Sequence, residues 1–181
     1  SLKARLCVRG HRLLVPYLES RSIPFAQMGK LVVATEAEQV VPLLALEARA
    51  KSNGLVDLEL WDGVKARQEE PELRCIHALY SPSTGILDSH RFMESLERDA
   101  KDEGAIISYR TPFLRARRSG TGLMCEVGGR EPTQIDVRSM VNAAGIGAFE
   151  VAARVDGMPP EHVPRRWLAK GNYYSVGEKI P

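Results

Sequence analysis

The spacing of apolar residues predicts helices that alternate with short strands in the first half of the chain. Apolar positions recur every three or four residues over residues 2–20, which predicts an amphipathic helix. The β-branched run at 29–34 predicts a strand. Thr35, with Glu38 three positions later, predicts a capping box at the start of a helix that Asn53-Gly54 ends.

The same pattern then predicts a strand, a helix and a second strand in succession. Strands are expected at 58–61 and 75–80, with a short helix at 63–69 between them and a turn-rich loop at 81–88 after them. A helix over 89–103 follows, and its face expected to be buried carries Phe92, Met93, Leu96 and Ala100. The apolar run 105–109 predicts a buried strand, so the order of elements indicates a parallel strand-helix-strand unit.

The second half of the chain departs from this alternation. Three short runs at 113–117, 123–127 and 134–138, joined by glycine-rich turns, predict an antiparallel meander of three strands. A further strand at 140–142 leads into a helix that ends at Gly157. Residues 167–176 have an extended, aromatic pattern.

The stretch Asn142-Ala143-Ala144-Gly145 stands where a predicted strand ends and a helical pattern begins. Side chains this small let the backbone approach a ligand closely, and the first turn of a helix presents free N–H groups to a phosphate. The alternative is that the small residues only let the strand pack against its neighbouring helix. The pattern by itself leaves both interpretations open.

Composition places the chain among ordinary globular proteins and excludes several function classes. The 181 residues are 44% hydrophobic and 27% charged, and the formal net charge of +2 is too small to indicate nucleic-acid binding. Three scattered cysteines and four scattered histidines predict neither a disulfide framework nor a metal site. With no apolar run long enough for a transmembrane segment and no signal peptide, a cytoplasmic location is expected, either free or peripheral to a membrane.

Five stretches, in this order along nearly the whole chain, carry a resemblance to a known family. They are Leu2-Lys3-Ala4-Arg5-Leu6-Cys7, Gly29-Lys30-Leu31-Val32-Val33-Ala34-Thr35, Ser81-Pro82-Ser83-Thr84-Gly85-Ile86-Leu87-Asp88, Val141-Asn142-Ala143-Ala144-Gly145 and Lys170-Gly171-Asn172-Tyr173-Tyr174. With them the chain resembles the FAD-dependent oxidoreductases that include glycine oxidase, sarcosine oxidase and D-amino-acid oxidase. Within that family it is most similar to members that oxidise small 2-hydroxy acids.

The resemblance implies an α/β fold of mixed α+β character. Part of a Rossmann-like FAD-binding domain with a three-stranded meander crossover would be joined to part of a mixed-sheet substrate domain. Residues 1–22 would form a helix on the FAD-domain side, 23–84 a portion of the substrate domain, 85–158 a portion of the FAD-binding domain, and 159–181 a return to the substrate domain.

The resemblance also implies where the chemistry lies. The FAD cofactor would accept a hydride from a small 2-hydroxy acid similar to 2-hydroxyglutarate. By position, the candidates for FAD contacts are Phe113, Asn142, Ala143, Ala144 and Gly145, and the candidates for substrate contacts are Lys170, Tyr173 and Tyr174. Lys170 would pair with a carboxylate, whereas the two tyrosines equally fit a strand with one packed and one solvated ring. No residue is assigned as the catalytic base.

The chain departs from the family pattern at the dinucleotide fingerprint. The G-x-G-x-x-G motif that holds the pyrophosphate is absent, because Glu150 stands where Gly145-Ile146-Gly147 would need its third glycine. The chain is therefore expected to be the central fragment of an enzyme and inactive alone. Two alternatives stay open: an amino-acid oxidase of the same family, and a non-catalytic module that self-associates through exposed strand edges.

Overall fold

The computed structural model describes residues 1–163 and 165–174. Within those residues it has five α-helices and eight β-strands, so the predicted mixed α/β class is confirmed. The chain divides into two compact units, Ser1–Ile106 and Ile107–Pro181. The assignment of segments to an FAD-binding and a substrate domain stays a prediction, and the end of the predicted extended segment, residues 175 and 176, lies outside the described residues.

The first unit opens with helix α1, Leu2–Ser20, which confirms the prediction made from its apolar spacing. Ser1 caps the helix, because its hydroxyl accepts a hydrogen bond of 3.3 Å from the Ala4 N–H. Leu18 is buried, whereas Leu6 on an earlier turn remains largely exposed. Helix α1 therefore contributes to the core mainly through its last turns.

The first unit has two antiparallel strand pairs that follow one another along the chain. Strand β1 (Phe25–Gln27) pairs with β5 (Gly85–Leu87), and β2 (Leu31–Ala34) pairs with β4 (His77–Tyr80). A hydrogen bond of 2.9 Å from the Gly29 N–H to the Thr84 carbonyl joins the ladders. The predicted loop 81–88 thus contains a strand, because Gly85 lets two backbones meet where a Cβ would lie 2.4 Å from the Ala26 carbonyl oxygen.

The central sheet of the first unit has the order β2-β4-β3, where β3 is Glu59–Asp62. Helix α2 (Val40–Ser52) and helix α3 (Gly63–Glu69) supply the residues that pack on its two faces. One buried cluster contains Trp61, Ala66, Cys75 and Ala78, and the other contains Ala34, Leu43 and Leu79. Because each cluster joins sheet residues to a different helix, the sheet is covered on both sides.

The start of α2 differs from the predicted capping box. The Thr35 N–H and hydroxyl donate to the Gln39 side-chain oxygen at 2.8 and 3.1 Å. A 3-10 turn over Ala37–Gln39 precedes the helix and carries Gln39, rather than Glu38, back to Thr35. The prediction of Glu38 as the capping partner is therefore wrong.

Helix α4, Ser89–Asp102, packs against α1 through a polar and aromatic cluster. The Tyr17 hydroxyl donates to the Asp99 carboxylate at 2.8 Å and lies 2.9 Å from the buried Ser95 hydroxyl. The Tyr17 ring meets Phe92 edge-on with the centroids 5.8 Å apart. Arg21 completes the cluster with an ion pair of 2.7 Å to Asp99. These contacts fix one side of α4 to the last turns of α1.

The predicted burial of Met93 and Leu96 is wrong. Met93 is 60% and Leu96 45% exposed. Helix α1 contacts the side of α4 that carries Ser95 and Asp99, so the adjacent apolar stripe is left in solvent. The apolar spacing identified the helix correctly but not which side of it is covered.

Two predicted strands, at 105–109 and 140–142, do not form. Ile106 is 96% exposed, and Val141 is exposed as well. Within the described residues neither segment has a neighbouring strand, and an unpaired strand leaves its backbone N–H and C=O groups without partners. The predicted parallel strand-helix-strand unit is absent from that part of the chain for the same reason.

The second unit is built on the predicted meander, which is confirmed. Its strands are β6 (Phe113–Ser119), β7 (Gly122–Val127) and β8 (Thr133–Val137), in that order in an antiparallel sheet. Cys125 on the central strand lies opposite Ala116 and Ile135. Ala116 and Cys125 are buried, whereas Ile135 on the outer strand is exposed.

After the meander the chain returns to the sheet through a short helix. A 3-10 turn, Gly145–Gly147, leads into α5, Ala148–Ala153, so the predicted helix is confirmed but is only six residues long. Val155 then forms a parallel bridge to Ala116 on β6. A last 3-10 turn spans Pro160–His162, and residues 165–174 have no regular secondary structure.

Candidate functional site

The small-residue stretch forms a turn that Asn142 holds together. The Asn142 side-chain N–H donates to the Ala148 carbonyl at 2.7 Å, and its side-chain oxygen accepts from the Ala144 N–H at 3.3 Å. Both ends of one amide are therefore used to tie the turn to the first residue of α5. This local structure explains why an asparagine precedes the three small residues.

Gly145 is an exposed backbone position in this turn. Its φ is +55°, a left-handed conformation that glycine adopts without strain, and a Cβ built there would meet nothing within 4 Å. The neighbouring Ala143 and Ala144 are exposed. The turn thus leaves backbone and methyl groups accessible to a ligand.

The expected helix N-terminus next to this turn is weak. The residues after Ala144 form a 3-10 turn, and α5 itself begins only at Ala148 and is six residues long. The dipole field of so short a helix falls off within one turn. Backbone access, rather than a helix dipole, is what the structure provides at Gly145.

Phe113, the other candidate for a cofactor contact, lies at the start of β6 and is tied to the far end of α5. Its carbonyl accepts a hydrogen bond of 3.3 Å from the guanidinium of Arg154, the residue that caps α5. The Ala116 N–H donates to the Arg154 carbonyl at 3.0 Å, and the Asp156 N–H donates to the Ala116 carbonyl at 2.7 Å. The structure therefore connects Phe113 and the Asn142 turn through α5.

The charges around α5 pair with one another. Arg115 on β6 binds the Asp156 carboxylate, and this hydrogen bond, with the carboxylate's charge, raises the pKa of Arg115. Arg166 forms an ion pair of 2.7 Å with Glu150 on α5. These pairs are exposed, so each of them contributes little to stability.

The predicted substrate residues lie in the irregular segment after residue 164. Lys170 is exposed, Tyr173 is 98% exposed, and Tyr174 is exposed as well. None of the three has a hydrogen bond to another described residue. The structure does not bring them together with the Asn142 turn, and their role stays a prediction.

A cavity in the first unit was not predicted from the sequence. Its volume is about 520 Å³, and it is lined mainly by apolar side chains of α1, of β1 and β5, and of the loop 54–57. His11 lines it and contacts the Ser83 carbonyl at 3.1 Å, which requires that this ring nitrogen carry the proton. The signal was the pair Val8 and Val15 on α1, which lies outside the apolar set that predicts the helix.

An aromatic and charged cluster lies on the α3 side of the central sheet. The Trp61 indole N–H donates to the Glu59 carboxylate at 2.9 Å, and the Lys65 ammonium donates to the same oxygen at 3.1 Å. These two bonds, Trp61 first, lower the pKa of Glu59. Tyr80 stacks on Trp61 with centroids 4.5 Å apart. The cluster explains how a charged strand residue is retained beside the core.

Metal-binding groups and membrane-spanning helices were sought in the part of the chain that the structure describes. There, no group of histidine, cysteine, aspartate or glutamate residues is arranged to hold a metal ion. No helix in that part is long and apolar enough to cross a membrane.

Comparison with protein families is decisive for the resemblance. The family model described as DAO, FAD dependent oxidoreductase, matches residues 1–181. The chain belongs to this family. The predicted cofactor, FAD, is confirmed by that membership, as is the prediction that the chain comes from an oxidoreductase.

Two relatives that match nearly the whole chain share one name. An Arabidopsis thaliana protein named mitochondrial L-2-hydroxyglutarate dehydrogenase is 33% identical over 210 residues, covering 100% of this chain and 44% of the relative. A Caenorhabditis elegans protein of that name is 32% identical, covering 97% of this chain and 44% of its own length. The chain thus spans less than half the length of these relatives.

Solved structures show the same fold at lower identity. An L-alpha-glycerophosphate oxidase from Mycoplasma pneumoniae with FAD bound has a TM-score of 0.72 and 20% identity, covering 86% of this chain and 42% of that one. An L-proline dehydrogenase from P. horikoshii has a TM-score of 0.70 and 21% identity, covering 83% and 40%. At this identity the likeness concerns the fold.

The expectation of a cytoplasmic location is wrong. The relatives from Arabidopsis thaliana, Caenorhabditis elegans and Bos taurus are each named mitochondrial proteins. Composition and the lack of an apolar span do not distinguish compartments, because a soluble enzyme has the same kind of core in each of them.

Proposed function

We propose that this chain is the central part of an FAD-dependent dehydrogenase that oxidises a small 2-hydroxy acid, with L-2-hydroxyglutarate as its substrate. One observation carries the proposal: the identity of 33% to a protein named L-2-hydroxyglutarate dehydrogenase extends over the whole chain. The FAD cofactor, when bound, accepts the hydride from the carbon that bears the hydroxyl group. The structural neighbours named for amino acids share the fold at only about 20% identity. They therefore support the amino-acid oxidase alternative less than the relatives support a 2-hydroxy-acid dehydrogenase.

The residues of this chain would bind and orient rather than react. The open backbone at Ala143, Ala144 and Gly145 would lie along FAD, and the carbonyl of Phe113 would contribute a second backbone contact. Lys170 would pair with a substrate carboxylate, and Tyr173 or Tyr174 would donate a hydrogen bond near the flavin. The catalytic base is not assigned to any residue of this chain.

Anaerobic reduction of the flavin tests the proposed substrate. Two proteins are purified: the 181-residue chain and, where the reading frame continues, the longer polypeptide. The visible flavin band of each is recorded before and after addition of L-2-hydroxyglutarate, D-2-hydroxyglutarate, glycine or L-proline. We expect the longer polypeptide to retain flavin and L-2-hydroxyglutarate to bleach it, with D-2-hydroxyglutarate as the matched control. Faster bleaching by glycine or L-proline would replace the proposal with the amino-acid oxidase alternative.

The chain alone is expected to lose flavin on desalting, because it lacks the G-x-G-x-x-G fingerprint. A stoichiometric flavin band that survives desalting would contradict this expectation. In the longer polypeptide, Lys170→Met is expected to raise the KM for L-2-hydroxyglutarate. An unchanged KM would remove Lys170 from the proposed site.

Self-association through a strand edge is a second candidate, supported by β8. Strand β8 pairs only with β7 among the described residues, so one of its edges is open, and Ile135 on it is exposed. Sedimentation velocity of the chain over a range of concentrations tests this. Ile135→Lys is expected to abolish any concentration-dependent association, while Leu114→Lys, at an equally exposed position on β6, is not.

A further inference from the structure

Helix α5 connects the two segments proposed to contact FAD, and both of its ends are tied by side chains. At the first end, Asn142 donates to the carbonyl of Ala148. At the other end, Arg154 donates to the carbonyl of Phe113. These two contacts place α5 between a turn and a strand that are about thirty residues apart in sequence.

One N–H and one lone pair of the Asn142 amide bind the backbone of the turn in this arrangement. Its N–H group is used by Ala148 and its oxygen by Ala144. The side chain therefore acts on the backbone of the turn that contains Gly145, whose φ is +55°. That Asn142 also contacts FAD directly stays a prediction.

Arg154 has the corresponding position at the other end. Its backbone carbonyl accepts from the Ala116 N–H at 3.0 Å, which attaches the end of α5 to β6 independently of the side chain. The guanidinium then adds the bond of 3.3 Å to the Phe113 carbonyl, where β6 begins and its pairing with β7 is irregular. The side chain thus binds a carbonyl next to the register shift in β6.

We propose that Asn142 and Arg154 are positioning residues that act together through α5. We call these two side chains, with the helix between them, the bracket. The bracket sets the spacing between the Ala143–Gly145 backbone and the Phe113 carbonyl, so that both meet one extended dinucleotide. This inference rests on the proposed role of these backbones in FAD binding. If the two side chains act together through α5, loss of either side-chain bond changes the same spacing, and loss of the second adds little.

A double-mutant cycle on FAD affinity tests the bracket in the flavin-binding polypeptide that contains this chain. The variants are Asn142→Ala, Arg154→Met and the double variant, with Arg166→Met as the matched control, since it breaks the Arg166–Glu150 ion pair on α5 without touching either segment. We expect each single variant to raise the FAD Kd by about fivefold, the effect of one net hydrogen bond. The FAD Kd of the double variant is expected to stay close to that of the single variant that binds FAD more weakly. The Kd of the control variant is expected to stay close to that of the parent.

Two outcomes would overturn the bracket. If the double variant multiplies the two single effects, Asn142 and Arg154 act separately. If Arg166→Met weakens FAD binding as much as they do, the effect is a general loss of α5 stability. Asn142→Asp sharpens the result, because it keeps the acceptor for the Ala144 N–H and loses the donor to Ala148, so an intermediate Kd is expected.

Amide hydrogen exchange of the chain without FAD separates failure of the bracket from failure of the proposed function. We expect Asn142→Ala to raise exchange at residues 143–147 severalfold and Arg166→Met to leave it unchanged. Unchanged exchange in Asn142→Ala would contradict the bracket even if FAD binds. If the parent polypeptide binds no FAD at all, the proposed function fails, and the exchange data still decide whether Asn142 holds the turn.

Discussion

The two units each contain a three-stranded antiparallel sheet, but the sheets are covered very differently. The sheet β2-β4-β3 has a buried cluster on either face, one with α2 and one with α3. In the sheet β6-β7-β8, Ala116 and Cys125 are the buried residues on the described strands, and most of its other side chains are at least partly accessible. The same pairing geometry therefore supports a core in the first case and an open surface in the second.

The difference matters because the candidate cofactor segments belong to the open unit. Regions with few buried apolar contacts open at lower free energy, and binding segments are commonly found there. In such a region the position of a backbone depends on individual hydrogen bonds, such as those of Asn142 and Arg154, more than on packing. The covered sheet, by contrast, provides stability and little accessible backbone.

The largest effect is expected when a buried side chain is removed from the covered sheet β2-β4-β3. Leu79 is 3% exposed on the central strand, and Leu79→Ala should lower the free energy of unfolding by about 3 kcal/mol through lost burial and the cavity left behind. Ile135→Ala, at a position 45% exposed on β8, should cost less than about 1 kcal/mol. Denaturant unfolding of both variants measures the contrast. Equal losses would mean that the two sheets do not differ in cover.

The next largest effect is expected at Gly29, which lies against the ring of Tyr80. Gly29 has a φ of +75°, and a Cβ there would lie 2.5 Å from a Tyr80 ring atom, so Gly29→Ala should cost about 1–3 kcal/mol. The Tyr80 ring would move against Trp61 and change its fluorescence. Gly120→Ala is the control, since Gly120 also has a positive φ but has nothing within 4 Å, and it should cost about 1 kcal/mol. Equal costs would show that backbone strain alone matters.

A smaller effect is expected from acid on the Glu59 cluster. The pKa of Glu59 is lowered, mainly by the Trp61 N–H and then by Lys65, so the ionised carboxylate stabilises the fold. That contribution is fully present above the ordinary value of 4.5 and is lost as the pH falls through the lowered pKa. Glu59→Gln should flatten this acid-side dependence of the free energy of unfolding. An acid limb that is identical in parent and variant would count against the contribution of Glu59.

The smallest effect is expected from an exposed ion pair in the open unit. Arg115→Gln removes the pairing with Asp156 but leaves the backbone bonds between Ala116 and the 154–156 segment. The midpoint of thermal unfolding should therefore change little, whereas amide exchange at Asp156 should rise. A large drop in the midpoint would show that the open sheet depends on this pair.

Local sequence patterns predicted much of the fold, and particular elements show where they stopped. The spacing of apolar residues identified α1, α2 and the three strands of the meander, because each of these elements forms its own periodic face or turns. The run 105–109 is equally apolar and remains irregular, since it has no neighbouring strand among the described residues. An apolar run predicts a strand only if a partner is present to complete the hydrogen-bond ladder.

The candidate site shows the same division. The small side chains of Ala143, Ala144 and Gly145 indicated close backbone approach, and Gly145 is open as that reading requires. The amide of Asn142 is predicted to contact the cofactor, and the structure adds two bonds that the sequence does not predict, to Ala144 and to Ala148. Which polar group an asparagine satisfies depends on the path of the chain after it, and residue type alone does not determine that path.

The sequence by itself determined the family, the helices and hairpins with local periodicity, and the stretch where backbone can meet a ligand. Only the tertiary structure decided which apolar faces are covered, which strand-like runs find partners, and that α5 joins Phe113 to the Asn142 turn. The physical reason is the distance along the chain over which each kind of interaction acts. Periodicity and turn chemistry act within a few residues, whereas burial and strand pairing depend on segments far apart in the chain.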